Sequence, residues 1–300
     1  MRKVKNTNHL PMDTSEKLFG IFAFVFMGLF SLVCILPCLH VFSKSISGGT
    51  YVTSGQIYFW PKDIQLETIT YILKETNFLV SLKNSLIVTG VGTAAALFVT
   101  ITTAYPLSRS SFRGQKLIKI LYVFSMIFFG GIVPAYMVVS TLKIIDTYFA
   151  CILPFVIVQF NMFVVKNAFE ALPDEIVEAA YLDGAGDWRT LWQVVVPMSI
   201  PTLATVTLLY AVTYWNDYFH AMMYTRSVDM KTMQVFLYDM IYSGNEIAYN
   251  LSGSGLDITN FSSGNLVAAT VTLSIIPIVL VYPFVSRYLV NGITVGSVKG

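Results

Sequence analysis

The chain has 300 residues, of which 55% are hydrophobic and only 12% charged, with a net charge of +2 and a mean hydropathy of +0.66. A soluble domain carries about 25% charged residues, so most of this surface must meet something other than water, and lipid is the simple candidate. The small net charge, without a dense basic run beyond Arg2, Lys3 and Lys5, excludes a nucleic-acid footprint, and the three cysteines and three histidines lack metal-ligand spacing.

About 20 apolar residues in a helix cross the hydrocarbon core, and six stretches qualify, too long and too uniformly apolar for barrel strands. The predicted class is therefore an all-α membrane protein with six transmembrane helices. Residues 1–17 form a polar, basic N-terminal segment. The first span is Leu18–Val41. It follows basic residues as a signal peptide would, but its apolar run is too long and no clear small-residue cleavage pattern precedes Phe42–Lys44, so it reads as retained. The segment 42–84 holds the turn-rich Gly48-Gly49, a strand-like aromatic run Ile57–Trp60, Pro61, and an amphipathic stretch near Leu66–Glu75.

The second span is Ser85–Leu107, and the third runs from about Ile120 to Leu142. The fourth, Tyr148–Val165, is the shortest and carries Gln159 and Asn161, which read more readily as interhelical hydrogen-bonding groups than as ligands. The fifth runs from about Pro197 to Tyr224 and the sixth is Leu266–Ser286, within a transmembrane domain of 18–290 that leaves a tail, 291–300. With the N-terminus inside, the inner segments 1–17, 108–119, 166–196 and 287–300 hold twelve basic residues. The outer segments 42–84, 143–147 and 225–265 hold seven over a greater length, so both termini are expected in the cytoplasm.

The inner segment 172–197 carries most of the inner-side acids. Pro173 and Asp174 form a helix start, with Glu175 favoured by the N-terminal dipole. Helical spacing puts Ile176, Ala179, Ala180 and Gly184 on roughly one side. Gly184 can stop the helix in a left-handed cap, Asp187 can cap a second short helix, and Pro197 opens the next span. Two short helices joined by a turn, one presenting small residues, suit a docking element that passes force to a partner.

The pattern Glu178-Ala179-Ala180, three residues, Gly184, nine residues, Val194-x-Val196-Pro197 resembles the EAA loop of ATP-binding-cassette importer permeases, with valine at the two aliphatic positions. The likeness covers most of the chain from the second span onward and points to the carbohydrate-uptake, MalG-like branch. Within it the chain resembles the LplC/YtcP-like oligosaccharide permeases. Tyr105-Pro106-Leu107-Ser108-Arg109, the run Tyr210–Phe219, the stretch Arg287–Gly292 and the ending Gly296–Gly300 carry that finer match.

The resemblance implies a type I importer (MetI-like) fold whose loop docks in a cleft on an ATPase. Glu178 would contact the ATPase or hold the loop's shape, Ala179 and Ala180 would allow close approach, and Gly184 would make the turn. Asp183 and Pro197 complete that set. It also implies two ATPase subunits, a second homologous permease subunit and an extracytoplasmic solute-binding protein. The segment 225–265 would touch the docked binding protein. No G-x-x-x-x-G-K-[ST] loop occurs, so ATP and magnesium are expected on the partner ATPase, with no cofactor and no catalytic or metal-binding residue in this chain.

Asp217 is the only acid inside a predicted span, near its outer end. With Tyr214, Trp215, Asn216 and Tyr218 it forms a candidate solute path, since aromatic faces stack on sugar rings and amides bond hydroxyls; an interfacial aromatic belt is the competing reading. An importer for a non-sugar solute is one alternative. An ion-gradient-driven secondary transporter is another, but it would want charges near the midplane or paired broken helices.

Overall fold

A computed structural model describes residues 14–253 and 262–297, leaving side-chain surroundings undescribed at 14, 245, 248–253 and 284–297. The helices in chain order are α1 (Thr14–Ser45), α2 (Gly49–Thr53), α3 (Glu67–Glu75), α4 (Phe78–Ser108), α5 (Gln115–Ile127), α6 (Ile132–Thr141), α7 (Tyr148–Ile152) and α8 (Gln159–Glu170). They continue as α9 (Asp174–Leu182), α10 (Asp187–Thr190), α11 (Val196–Met198), α12 (Ile200–Asn216), α13 (Phe219–Tyr224), α14 (Met233–Gly253) and α15 (Ser263–Ser297). Helices α1, α4 and the first part of α15 are long and apolar enough to cross a membrane, and three bent helix pairs bring the total to six if each is one span. Among the described residues there is no strand, only an isolated bridge between Ser47 and Ile64.

Two compact units divide the chain. The first comprises 1–69 and 244–272. In it α1 runs as a long apolar helix whose membrane-length stretch buries nothing against the rest of the chain. At its end, Asn265 donates through Nδ2 to the carbonyls of Lys44 in the last turn, at 3.2 Å, and of Ser47 just beyond. The run Ile57–Trp60, expected to be strand-like, forms bends instead. Its carbonyls turn to α1, where Tyr58 O accepts from His40 Nδ1 and Phe59 O from Ser43 Oγ, both at 2.6 Å. Side chains supply the partners a second strand would have offered.

The second unit comprises 70–243 and 273–300. Its centre is α4 packed on α12 and α8. One face of α4 carries Ser81, Ser85, Val88, Gly92, Ala96, Thr100 and Ala104, all buried at helical spacing. Lipid tails are as apolar as leucine, so helices in a bilayer associate by close packing and hydroxyl bonds, which such small residues permit. At Gly92 a Cβ would lie 2.8 Å from the Tyr214 ring, so only glycine admits this approach. Near the start of α4, Asn84 Nδ2 donates to the carbonyls of Asp229 (2.7 Å) and Lys231 (3.0 Å), and Ser85 Oγ accepts from the Met233 N–H at 2.7 Å. At the C-terminal end of α8, Glu170 pairs with Lys166 and, at 3.6 Å, with Lys119, tying α8 to α5.

The expected spans three to five are broken. The third turns through 114° between α5 and α6, where Gly131 takes φ +96°. The fourth is α7 with the turn Leu153–Phe155, then α8, bent by 53°. The fifth is creased close to its expected start: Pro197 lies in α11, before an 86° bend, and α12 follows Ser199, with Pro201 in its first turn where a missing N–H is harmless. That span does not run through to Tyr224. α12 ends at Asn216 and Asp217 occupies the break before α13, so this acid is not inside a continuous helix. Residues 254–261 and the last three of the chain lie outside the described residues, as do the side chains of Arg287–Gly292 and the basic residues at 2, 3 and 5.

Candidate functional site

The segment 172–197 folds as two short helices around a turn. Pro173, extended at φ −59° and ψ 130°, precedes α9, whose first turn holds Asp174 and Glu175 at the positive end of the helix dipole. The helix stops in a Schellman motif. Gly184, at φ +80°, donates its N–H to Tyr181 O, and Ala185 donates to Ala180 O, both at 3.0 Å. Asp183 is the C-cap. Nothing crowds Gly184, so the constraint there is the backbone angle alone. The second helix begins with Gly186 as its cap and Asp187 in its first turn. The Asp187 carboxylate accepts from Tyr181 Oη at 2.5 Å rather than capping its own helix.

Only Val177 of α9 is buried. Glu178 and Ala179 are exposed and Ala180 half-buried. Leu182 is 89% and Trp188 61% exposed, with Ile176 exposed beside them. Large apolar side chains presented outward from a polar loop mark an interaction face. The spacing of small residues leads to Ala179 and Gly184 but misses Leu182, Trp188 and Tyr181; an aliphatic residue next to the C-cap and a tryptophan in a four-residue helix were the available signals. After α10 comes a π-helix, Leu191–Val195, a rare form concentrated at functional sites. Trp188 meets Trp192 edge-on at 6.1 Å, and Trp192 stacks on Phe98 of α4 at 6.2 Å.

Behind the loop lies a cleft of about 760 Å³, walled by Tyr105, Pro106 and Arg109 of the α4 end and by Asp174, Glu178, Tyr181 and Trp188. Arg109 sits 5.2 Å over the Tyr105 ring and 3.9 Å from the Asp174 carboxylate. Its Nε and Nη2 are buried without a hydrogen-bond partner. Burial, then the hydrogen bond to Asp187, raises the Tyr181 hydroxyl pKa above its ordinary value.

The five candidate path residues are not gathered on one surface. Tyr214 is 3% exposed, and its hydroxyl donates to Ile152 O at 3.0 Å. Trp215 is half-buried with its indole nitrogen unpartnered, and Asn216 is exposed, its amide donating back to Val212 O at 3.0 Å. Asp217 Oδ1 is 2.9 Å from His220 Nδ1 and accepts from the His220 N–H at 3.3 Å, so the start of α13 satisfies it. Tyr218 heads a ring series with Tyr238 and Tyr242 of α14, at centroid spacings of 4.8 and 4.2 Å. In the fourth span, Gln159 Nε2 donates to Ser125 Oγ of α5 at 3.3 Å, an interhelical bond as expected.

Comparison with known proteins places this geometry. Residues 11–295 match the family described as "binding-protein-dependent transport system inner membrane component". Protein LplC of Bacillus subtilis (strain 168) is 34% identical, over 95% of this chain and 96% of that one. The polygalacturonan/rhamnogalacturonan transport system permease protein YtcP of the same organism is 35% identical, over 95% and 99%. A chain of a bacterial ABC transporter involved in the import of the acidic polysaccharide alginate superposes with a TM-score of 0.85 at 34% identity, over 92% of this chain and 98% of that chain.

Proposed function

This chain belongs to the binding-protein-dependent transport system inner membrane component family, and on that premise we propose that it is the oligosaccharide-conducting permease subunit of an ATP-driven importer whose loop 172–197 grips a separate ATPase. The family is one of ABC importer permease subunits, not enzymes, and the apolar helices make the chain a multi-pass membrane protein. ATP and magnesium belong to two ATPase subunits. A second homologous permease completes the pore, and an extracytoplasmic binding protein delivers the solute. The saccharide cargo is supported by the relatives, whose names specify polygalacturonan, rhamnogalacturonan and alginate.

The observation that carries the coupling reading is the outward apolar face of α9 and α10, with Leu182 and Trp188 bare to solvent around the Gly184 turn. Glu178, Ala179, Ala180 and Asp183 lie on or beside that turn, and Pro197 closes the segment before the bend into α12. For the solute path, Trp215, Asn216, Asp217 and Tyr218 remain the proposed contacts. Tyr214, buried, serves it as a strut.

Gly184→Pro tests the coupling role. Proline cannot reach φ +80° and lacks the N–H that bonds Tyr181 O. In the complex isolated with its partners, this variant should hydrolyse ATP without driving uptake; normal transport would overturn the assignment. A solute screen on the cognate binding protein tests the cargo, and a non-saccharide ligand there would replace that half of the reading alone.

A further inference from the structure

Resting on the coupling role proposed for loop 172–197, we infer that Tyr181 is a positioning residue that transmits the loop's displacement into α4 through the chain Asp187–Tyr181–Tyr105. The loop is covalently joined to α8 on one side and α12 on the other. It has no chain connection to α4, although α4 is the helix on which both of those pack. Between the loop and the inner end of α4 lies the cleft of about 760 Å³. A push on α9 would close that space before it moved α4, unless something rigid spans it.

A hydrogen-bonded chain does span it. A carboxylate can only accept, so the Tyr181 hydroxyl gives its proton to Asp187 Oδ1 at 2.5 Å. Its oxygen is then free to accept from Tyr105 Oη, 3.3 Å away. The direction of both bonds is thereby set, running from the buried Tyr105 of α4 to the first turn of α10. Beside this chain Arg109 faces Asp174 through Nη1 at 3.9 Å, about 1 Å longer than a formed charge-assisted bond. Its Nε and Nη2, the two donors of one guanidinium edge, are desolvated and unpaired. A small approach of the loop towards α4 shortens the Arg109–Asp174 pair, while the tyrosine chain is already formed. The stacked Trp192–Phe98 contact, as a ring contact, has no fixed direction of pull.

The test is hydrogen exchange on the full chain purified with its ATPase and second permease, with and without a non-hydrolysable ATP analogue. In the wild type, exchange should change at 174–190 and also at 102–109 of α4 and its cap. Tyr181→Phe should keep the response at 174–190 and lose it at 102–109. Tyr105→Phe should do the same, and the double variant no more than either single one, as members of one chain. Asp187→Asn, which keeps an acceptor, should retain both responses. Response at 102–109 in Tyr181→Phe equal to the wild type would overturn this inference and leave the coupling loop standing. No nucleotide response at 174–190 in the wild type would overturn the coupling reading and this inference with it.

Discussion

Asp146 occupies a left-handed backbone position, φ +63°, that a short polar side chain tolerates better than most. Its Oδ1 accepts from the N–H groups of Arg226 (2.8 Å) and Ser227 (3.0 Å) and from Ser227 Oγ (3.0 Å), while its own N–H donates to Tyr224 O at 2.8 Å. One carboxylate thus ties the short link after α6 to the segment after α13. The backbone hydrogen bonds from Ser227 and then Arg226 hold its pKa below the ordinary carboxylate value. A depressed carboxylate stabilises the fold above the pKa of the unfolded chain, near 3.9, and that contribution disappears as pH falls through the folded value. Asp146→Asn keeps the backbone tolerance and one acceptor but not the charge. It should lose about 1 kcal/mol at neutral pH. Thermal unfolding in detergent should also show a flatter loss of stability towards acid than the wild type; identical acid profiles would remove Asp146 as the titrating group.

At the scale of elements, the informative feature is the interruption of the fourth span. A broken helix leaves backbone groups that lipid cannot satisfy. Tyr210 and Tyr214, one turn apart on α12, meet them from outside: Tyr210 Oη accepts the Val158 N–H at 3.1 Å and Tyr214 Oη donates to Ile152 O. Thr100 Oγ, 2.7 Å from Tyr210 Oη, extends the bond to α4. Tyr210→Phe strands the Val158 donor and should cost about 1–3 kcal/mol, read as a lowered midpoint in a thermal shift assay with the ring packing unchanged. Here the limits of the linear code are visible. Hydropathy located α1, α4 and the start of α15, because lipid imposes a length, and Pro173, Gly184 and the EAA spacing pointed to the paired short helices of 172–197. Pro154 signals the interruption of the fourth span, but the groups that cap the break come from 52 and 62 residues away and cannot be read locally. Gly130-Gly131 did carry the signal of the 114° bend, but its apolar surroundings read as continuous span. Tyr181 was invisible as a linker because its partner Tyr105 is 76 residues distant.

For the molecule as a whole, the decisive matter is sidedness. If the inner segments are cytoplasmic, Leu182, bare on the loop, must be reachable only from the inner face. In a background with Cys34 and Cys38 replaced by serine, a Leu182→Cys variant should react with a membrane-impermeant maleimide in inverted vesicles and not in intact cells. Lys143→Cys, in the link after α6, should show the opposite. Labelling of Leu182→Cys from outside would reverse the topology and with it the ATPase contact. The tyrosine pair on α12 bears on how such a protein can move at all. Turning α12 about its axis would pull both hydroxyls off their backbone partners in one stroke, exposing an amide and a carbonyl to hydrocarbon together. The cheaper course is for α12, α4 and both pieces of the fourth span to travel as a single block. Rearrangement then falls to the corners already creased, at Ser199 and at Phe128–Gly131, which makes those two places the natural pivots of the transport cycle.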